Sequence, residues 1–172
     1  EADPPALITL QAEIADTLAS MGRPDAALFS VREAIRIGEA NLDHSSRDLF
    51  RLRERMVFFQ YMDGELPIAE DAYRTLHEQA RQTLTADDPI LFDIRNGLAT
   101  VIFARGNLDD AERRYRIILA DMTQIVGAEH PDTWLVERNP GAIARQRQSP
   151  DLAKAIYRRV LEKLTSHPSF GP

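Results

Sequence analysis

His44, Ser45 and Ser46 stand side by side, and a histidine next to two hydroxyls is raw material for nucleophilic catalysis, in which a base takes the proton of an attacking oxygen. That chemistry needs nucleophile, base and an orienting acid to meet in space, which adjacency along a chain does not provide. We read the three as a solvated loop that caps a helix. The acidic pairs Asp87–Asp88 and Asp109–Asp110 offer general acid–base work or cation binding. Each precedes or opens a helical stretch, however, where a carboxylate opposes the positive end of the helix dipole, and capping accounts for both. His44, His77, His130 and His167 are scattered, with neither His-x3-His nor His-Glu-x-x-His spacing, and there is no cysteine. No glycine-rich stretch resembles a phosphate-binding loop. The arginine pairs Arg113–Arg114 and Arg158–Arg159 suggest an anion ridge, but they are out of register with each other, and a solvated helix face suits them better. We assign no catalytic residue, no cofactor and no metal, and expect a protein that is not an enzyme.

The totals exclude further classes. With 27 acidic against 21 basic residues, net charge −6, the chain has no global attraction to nucleic acid or an anionic membrane. No apolar run reaches the roughly 20 residues that span a bilayer, and EADPPALITL lacks the basic-then-apolar layout of a signal peptide, so a cytoplasmic protein is expected. The chain opens on Glu1, which points to an excised or processed piece of something longer. Lys154 and Lys163 are the only lysines; arginine supplies the other basic residues, a bias that goes with high-GC bacterial coding.

Whatever these residues do, helices must position them, and the helices repeat. Gly22, Gly64 and Gly106 recur at a spacing of 42, with Gln148 in the fourth place. Five residues on stand Ala27, Ala69, Ala111 and Ala153, and four further Val31, Tyr73, Tyr115 and Tyr157. An upstream column reads Pro5, Arg47, Pro89 and Pro131. Apolar residues three and four apart, as in Leu10, Ile14, Leu18 and Met21 or Ile94, Leu98, Val101 and Ile102, make each unit two helices with the glycine between them. Glycine suits that place because it adopts positive φ without a Cβ clash. Asp88, Asn107 and Ser149 supply cap chemistry. The small alanine lets the second helix approach the first, and the tyrosine fills the next space on the same face, which makes both packing positions. The four pairs span about 5–42, 46–84, 88–126 and 131–165, within one domain covering 1–172 and ending in a tail at 166–172. Pro140 and Gly141 fall inside the last first helix and should kink or interrupt it.

At these residues the chain resembles a tetratricopeptide repeat array, in the 42-residue variety similar to kinesin light chain repeats and to repeats of bacterial regulatory proteins. "GAEHPDT" at 127–133 and "RNGLATVIFARGNLDDAERRYRIIL" at 95–119 carry the resemblance. It implies an all-α α-solenoid, a right-handed superhelix of four helix-turn-helix units, whose concave side is lined by the first helix of each pair. Counted from the glycine column, the lining is Thr9, Ala12, Asp16, Ala19 and Ser20 in the first unit. It is Arg51, Glu54, Phe58, Tyr61 and Met62 in the second, and Asp93, Asn96, Thr100, Phe103 and Ala104 in the third. Leu135, Arg138, Ala142, Arg145 and Gln146 follow in the fourth.

Of these, Arg51, Glu54, Phe58, Tyr61, Asn96, Thr100, Phe103, Arg138 and Arg145 are the candidate partner-binding residues. Aromatics in the middle and arginine at the end suit an extended segment bearing apolar side chains and a carboxylate. The function that follows is a protein or peptide interaction module acting as scaffold or regulator. Alternatives are a peptide-responsive regulatory domain of a larger bacterial regulator and a self-association module working through its terminal repeats. Trp134 is expected to pack near a helix start.

Overall fold

The computed structural model describes residues 3–166, so His167 and all but the first residue of the expected tail lie outside the described residues. Nine helices and no strand occur among those residues: α1 (Pro4–Ser20), α2 (Pro24–Asn41), α3 (Arg47–Met62), α4 (Leu66–Thr83), α5 (Pro89–Ala104), α6 (Leu108–Ile125), α7 (Pro131–Glu137), α8 (Asn139–Gln146) and α9 (Pro150–Ser166). They form two compact units, residues 1–101 and 102–172, with the boundary inside α5.

In the first unit α1 packs on α2, α2 on α3 and α3 on α4. The core is built from Ile8, Ala12, Ala15 and Ala19 of α1 against Ala27, Val31, Ala34 and Ile35 of α2, closed by Leu49, Leu52 and Phe59 of α3. This corrects the stripe expected for α1. Leu10, Ile14 and Met21 are exposed, because the alanine row allows the closer approach to α2 and takes the buried face instead. The stripe of α5 is buried as expected, with Ile94, Leu98, Val101 and Ile102 at 3 % exposure or less.

The turns between paired helices share one construction. Gly22, Gly64 and Gly106 have φ of 73°, 87° and 87°. After each, a backbone N–H reaches back five residues: Arg23 to Leu18 O at 3.0 Å, Glu65 to Gln60 O at 3.0 Å and Asn107 to Ile102 O at 3.2 Å. Ser149 makes the same bond to Ala144 O at 2.9 Å, yet the left-handed residue there is Gln148, at φ 57°. A side chain in that region costs on the order of 1 kcal/mol. Gln148→Gly is therefore expected to raise stability by about 0.5–1 kcal/mol in urea unfolding; a loss would show that Gln148 is not strained.

Caps fix the other ends. Ser46 accepts from the Asp48 N–H at 3.2 Å, Asn107 from the Asp110 N–H at 3.3 Å, and Asp88 from the Ile90 N–H at 2.9 Å. Asp88 also accepts two bonds from Arg47, at 2.7 and 3.0 Å, so the arginine that replaces proline in its column ties the start of α3 to the start of α5. Burial alone would raise the Asp88 carboxyl, but the Arg47 guanidinium and the cap N–H outweigh it and hold the group below its ordinary value.

In the second unit α7 packs on α6 and α9, and α8 on α9. The expected interruption lies at Arg138, which ends α7 and precedes α8. Pro140 occupies the first turn of α8, where its missing N–H costs least. Gly141 gives passage to the Tyr157 ring, which would lie 2.7 Å from a Cβ at that position. Glu137 receives Arg159 at 2.7 Å and Lys163 at 3.0 Å, and Arg147 bridges α8 to Asp109 and Glu112 of α6. Trp134 is 2 % exposed and donates its indole N–H to Ala128 O at 2.9 Å.

Candidate functional site

The residues that raised chemical questions are occupied structurally. Asp43 accepts from the Ser45 hydroxyl, Ser46 caps α3, and His130 Nδ1 accepts from the Asp132 N–H at 3.3 Å at the start of α7. Asp110 pairs with both Arg113 and Arg114. Of the tyrosine column, Tyr73 and Tyr115 are buried, while Tyr157, whose ring lies against Gly141 of α8, keeps 38 % exposure. No helix of the described residues is long and apolar enough to cross a membrane.

A cleft of ≈ 280 Å³ opens in the first unit. Glu54, Phe58 and Tyr61 reach it from α3 at offsets of four and seven, so they share one helix face. Asp93, Asn96, Gly97 and Thr100 reach it from α5 with the same repeat of offsets. Tyr73 enters from α4 and lies so close to Gly97 that a Cβ there would fall 2.3 Å from its ring. The Tyr73 hydroxyl donates to Glu54 Oε1 at 2.9 Å. The Phe58 and Tyr61 rings are 6.0 Å apart by centroid and tilted by 39°, forming one wall. Phe58 is 42 % exposed, so much of the wall's apolar surface is open to solvent.

The electrostatics of this cleft are acidic. Burial pushes the Glu54 carboxyl up to about 7; the Tyr73 hydrogen bond works against that shift, and Asp93 adds to it. Arg55 and Asp16, themselves paired at 2.8 Å, act in opposite directions on Glu54. The Tyr73 hydroxyl is pushed well above its ordinary range by burial and by Glu54.

Of the nine candidate residues, Glu54, Phe58, Tyr61, Asn96 and Thr100 come together here. Arg51 instead lines a separate cleft of ≈ 330 Å³ beside Thr9, Ala12 and Arg55. Asp16, Ala19 and Ser20 line a further shallow one that Phe58 shares. Phe103, Arg138 and Arg145 belong to the second unit. There Phe103 is half-buried, Arg138 is exposed at the α7–α8 junction, and Arg145 lines a cleft with Lys154, Tyr157, Arg158 and Leu161. Tyr73 and Gly97 were missed as lining residues, because a tyrosine column reads as packing and only the contact with Gly97 brings the phenol to the cleft floor.

Residues 92–132, from the first turn of α5 through the turn into α7, match the tetratricopeptide repeat family. That stretch of the chain is similar to a tetratricopeptide repeat. The chain's all-α solenoid fold is also that of solved tetratricopeptide-repeat structures. A kinesin light chain-type protein with nearly identical TPR-like repeats from Podosopora anserina superposes with a TM-score of 0.75 at 16% identity, over 98% of this chain and 82% of that one. BtubC (BKLC) from P. vanneervenii gives 0.74 at 18% identity, over 100% and 68%. A Rap protein, solved in complex with Competence and Sporulation Factor, gives 0.77 at 12% identity, over 96% of this chain but 44% of its own. Comparison with curated protein sequences finds no significant match.

Proposed function

We propose that this chain is an interaction module that binds an extended peptide or protein segment, with the α3–α5 cleft as its principal seat. The observation that carries this is the gathering of an aromatic wall, exposed Phe58 and half-buried Tyr61, opposite the Asn96 amide and the Thr100 hydroxyl, whose oxygen accepts while its hydrogen goes to Asn96 O. An extended chain needs both: apolar faces to bury its side chains against, and donors and acceptors for its backbone groups. The Rap structure, which holds Competence and Sporulation Factor, supports the same mode and favours a second reading as the peptide-responsive part of a larger regulator. In the second unit, Arg145 with Lys154 and Arg158 offers positive charge suited to an acidic residue of a bound segment, and exposed Arg138 at the α7–α8 junction is a separate candidate for such a contact.

The test is selection of extended peptides from a random display library on the chain, followed by binding to Thr100→Arg, which fills the cleft with a long side chain. Selected peptides are expected to lose tenfold or more of their affinity, about 1.4 kcal/mol or above. Peptides that bind both forms equally would move the seat elsewhere.

A further inference from the structure

Glu54 is a largely buried carboxyl for which no cationic side chain among the described residues is a direct partner. Tyr73 donates a hydrogen bond to it, and the flanking basic side chains on α3 pair elsewhere: Arg53 with Glu39 at 3.0 Å and Arg55 with Asp16 at 2.8 Å. No lysine or arginine lines the cleft, whereas a second carboxylate, Asp93, does. A carboxylate held in a half-buried site without a countercharge is costly, and an arriving cation relieves that cost. The wall above it is aromatic, and the faces of phenylalanine and tyrosine attract a cation further. A volume of ≈ 280 Å³ is below the range of about 300–1,000 Å³ typical of small-molecule sites, which suits one side chain rather than a whole ligand. A divalent metal fits poorly, since the aromatic wall offers few of the oxygens such an ion collects.

We infer that the α3–α5 cleft is a subsite for the guanidinium of an arginine in the bound segment, paired with Glu54 and stacked on Phe58 or Tyr61. The planar fork of arginine meets a carboxylate with two hydrogen bonds and lies flat on an aromatic ring, which an ammonium does not. This inference rests on the peptide-binding reading and specifies its chemistry. It also reverses, for this cleft, the acidic ligand residue that the arginine-rich end of the chain suggested.

The test is an NMR titration of the chain with N-acetyl-arginine methylamide and, as its uncharged counterpart of equal shape, the citrulline analogue. The arginine probe is expected to shift the Gly97 and Thr100 amide signals saturably, and the citrulline probe to bind roughly tenfold more weakly or worse. Glu54→Gln keeps an acceptor for Tyr73 and so should remain folded by circular dichroism, yet should lose about the same factor for arginine alone. Protonation of Glu54 should weaken the arginine probe as pH falls from about 8 to about 6, with the citrulline probe unaffected. Equal shifts from both probes, no saturable shift from arginine up to its solubility limit, or indifference to Glu54→Gln would each overturn the subsite. Failure of the parent reading looks different: display-selected peptides would ignore Thr100→Arg. Peptides blocked by Thr100→Arg but lacking any basic residue would leave that reading standing and remove this one.

Discussion

Trp134→Ala should destabilise the second unit by about 3–5 kcal/mol, the range for truncating a buried tryptophan. The side chain is 2 % exposed and its indole N–H is tied to Ala128 O, so the substitution opens a cavity and frees the loop before α7 at once. Lys163 lies 6.0 Å from the ring centre and pairs with Glu137, so α9 loses part of its seat on α7 as well. Trp134→Phe separates the contributions, since it keeps most of the apolar volume and forfeits the hydrogen bond, worth about 1 kcal/mol. Urea unfolding reads both. A loss below about 1 kcal/mol for the alanine variant would mean that Trp134 does not organise this unit.

Glu54→Gln is expected to stabilise the chain by about 2–3 kcal/mol near pH 8 and to do almost nothing near pH 4. Its direction follows from the proton balance. Glu54 takes up its proton near 7 when folded and near 4.5 when unfolded, so between those values the folded state holds more protons and stability falls as pH rises. A shift of this size corresponds to about 3 kcal/mol, fully absent below the unfolded value and fully developed above the folded one. Burial is its main cause, opposed by the hydrogen bond that the Tyr73 hydroxyl donates to the carboxyl; Asp93 and Asp16 add to it and Arg55 subtracts. Urea unfolding between about pH 4 and pH 8 should show the wild-type slope flattened in the variant. A difference between the two proteins that stays constant with pH would remove Glu54 as the source.

The helix pairs were legible because their signals are local. Periodicity, the glycine column and the cap residues act within a few positions, and even the break before Pro140 needs only the missing N–H. The stripe of α1 misled for a physical reason: leucine, isoleucine and methionine recur at helical spacing, but small alanines on the adjacent face allow closer packing and win the interior. Counting back from the glycine column located the α3 and α5 side chains of the cleft, because a fixed period fixes the helix face. It did not reveal the state of Glu54. That depends on where Arg53 and Arg55 turn and on the Tyr73 ring lying against Gly97, contacts 14 to 39 residues apart with no pattern in sequence.

A bound segment is expected to lie over the α3–α5 cleft. Photo-cross-linking of display-selected peptides tests it most directly, with benzoylphenylalanine placed at Tyr61, on the cleft wall, or at Ile68, exposed on α4. Peptide adducts are expected from position 61 and none from position 68. Adducts from position 68 with none from position 61 would contradict it.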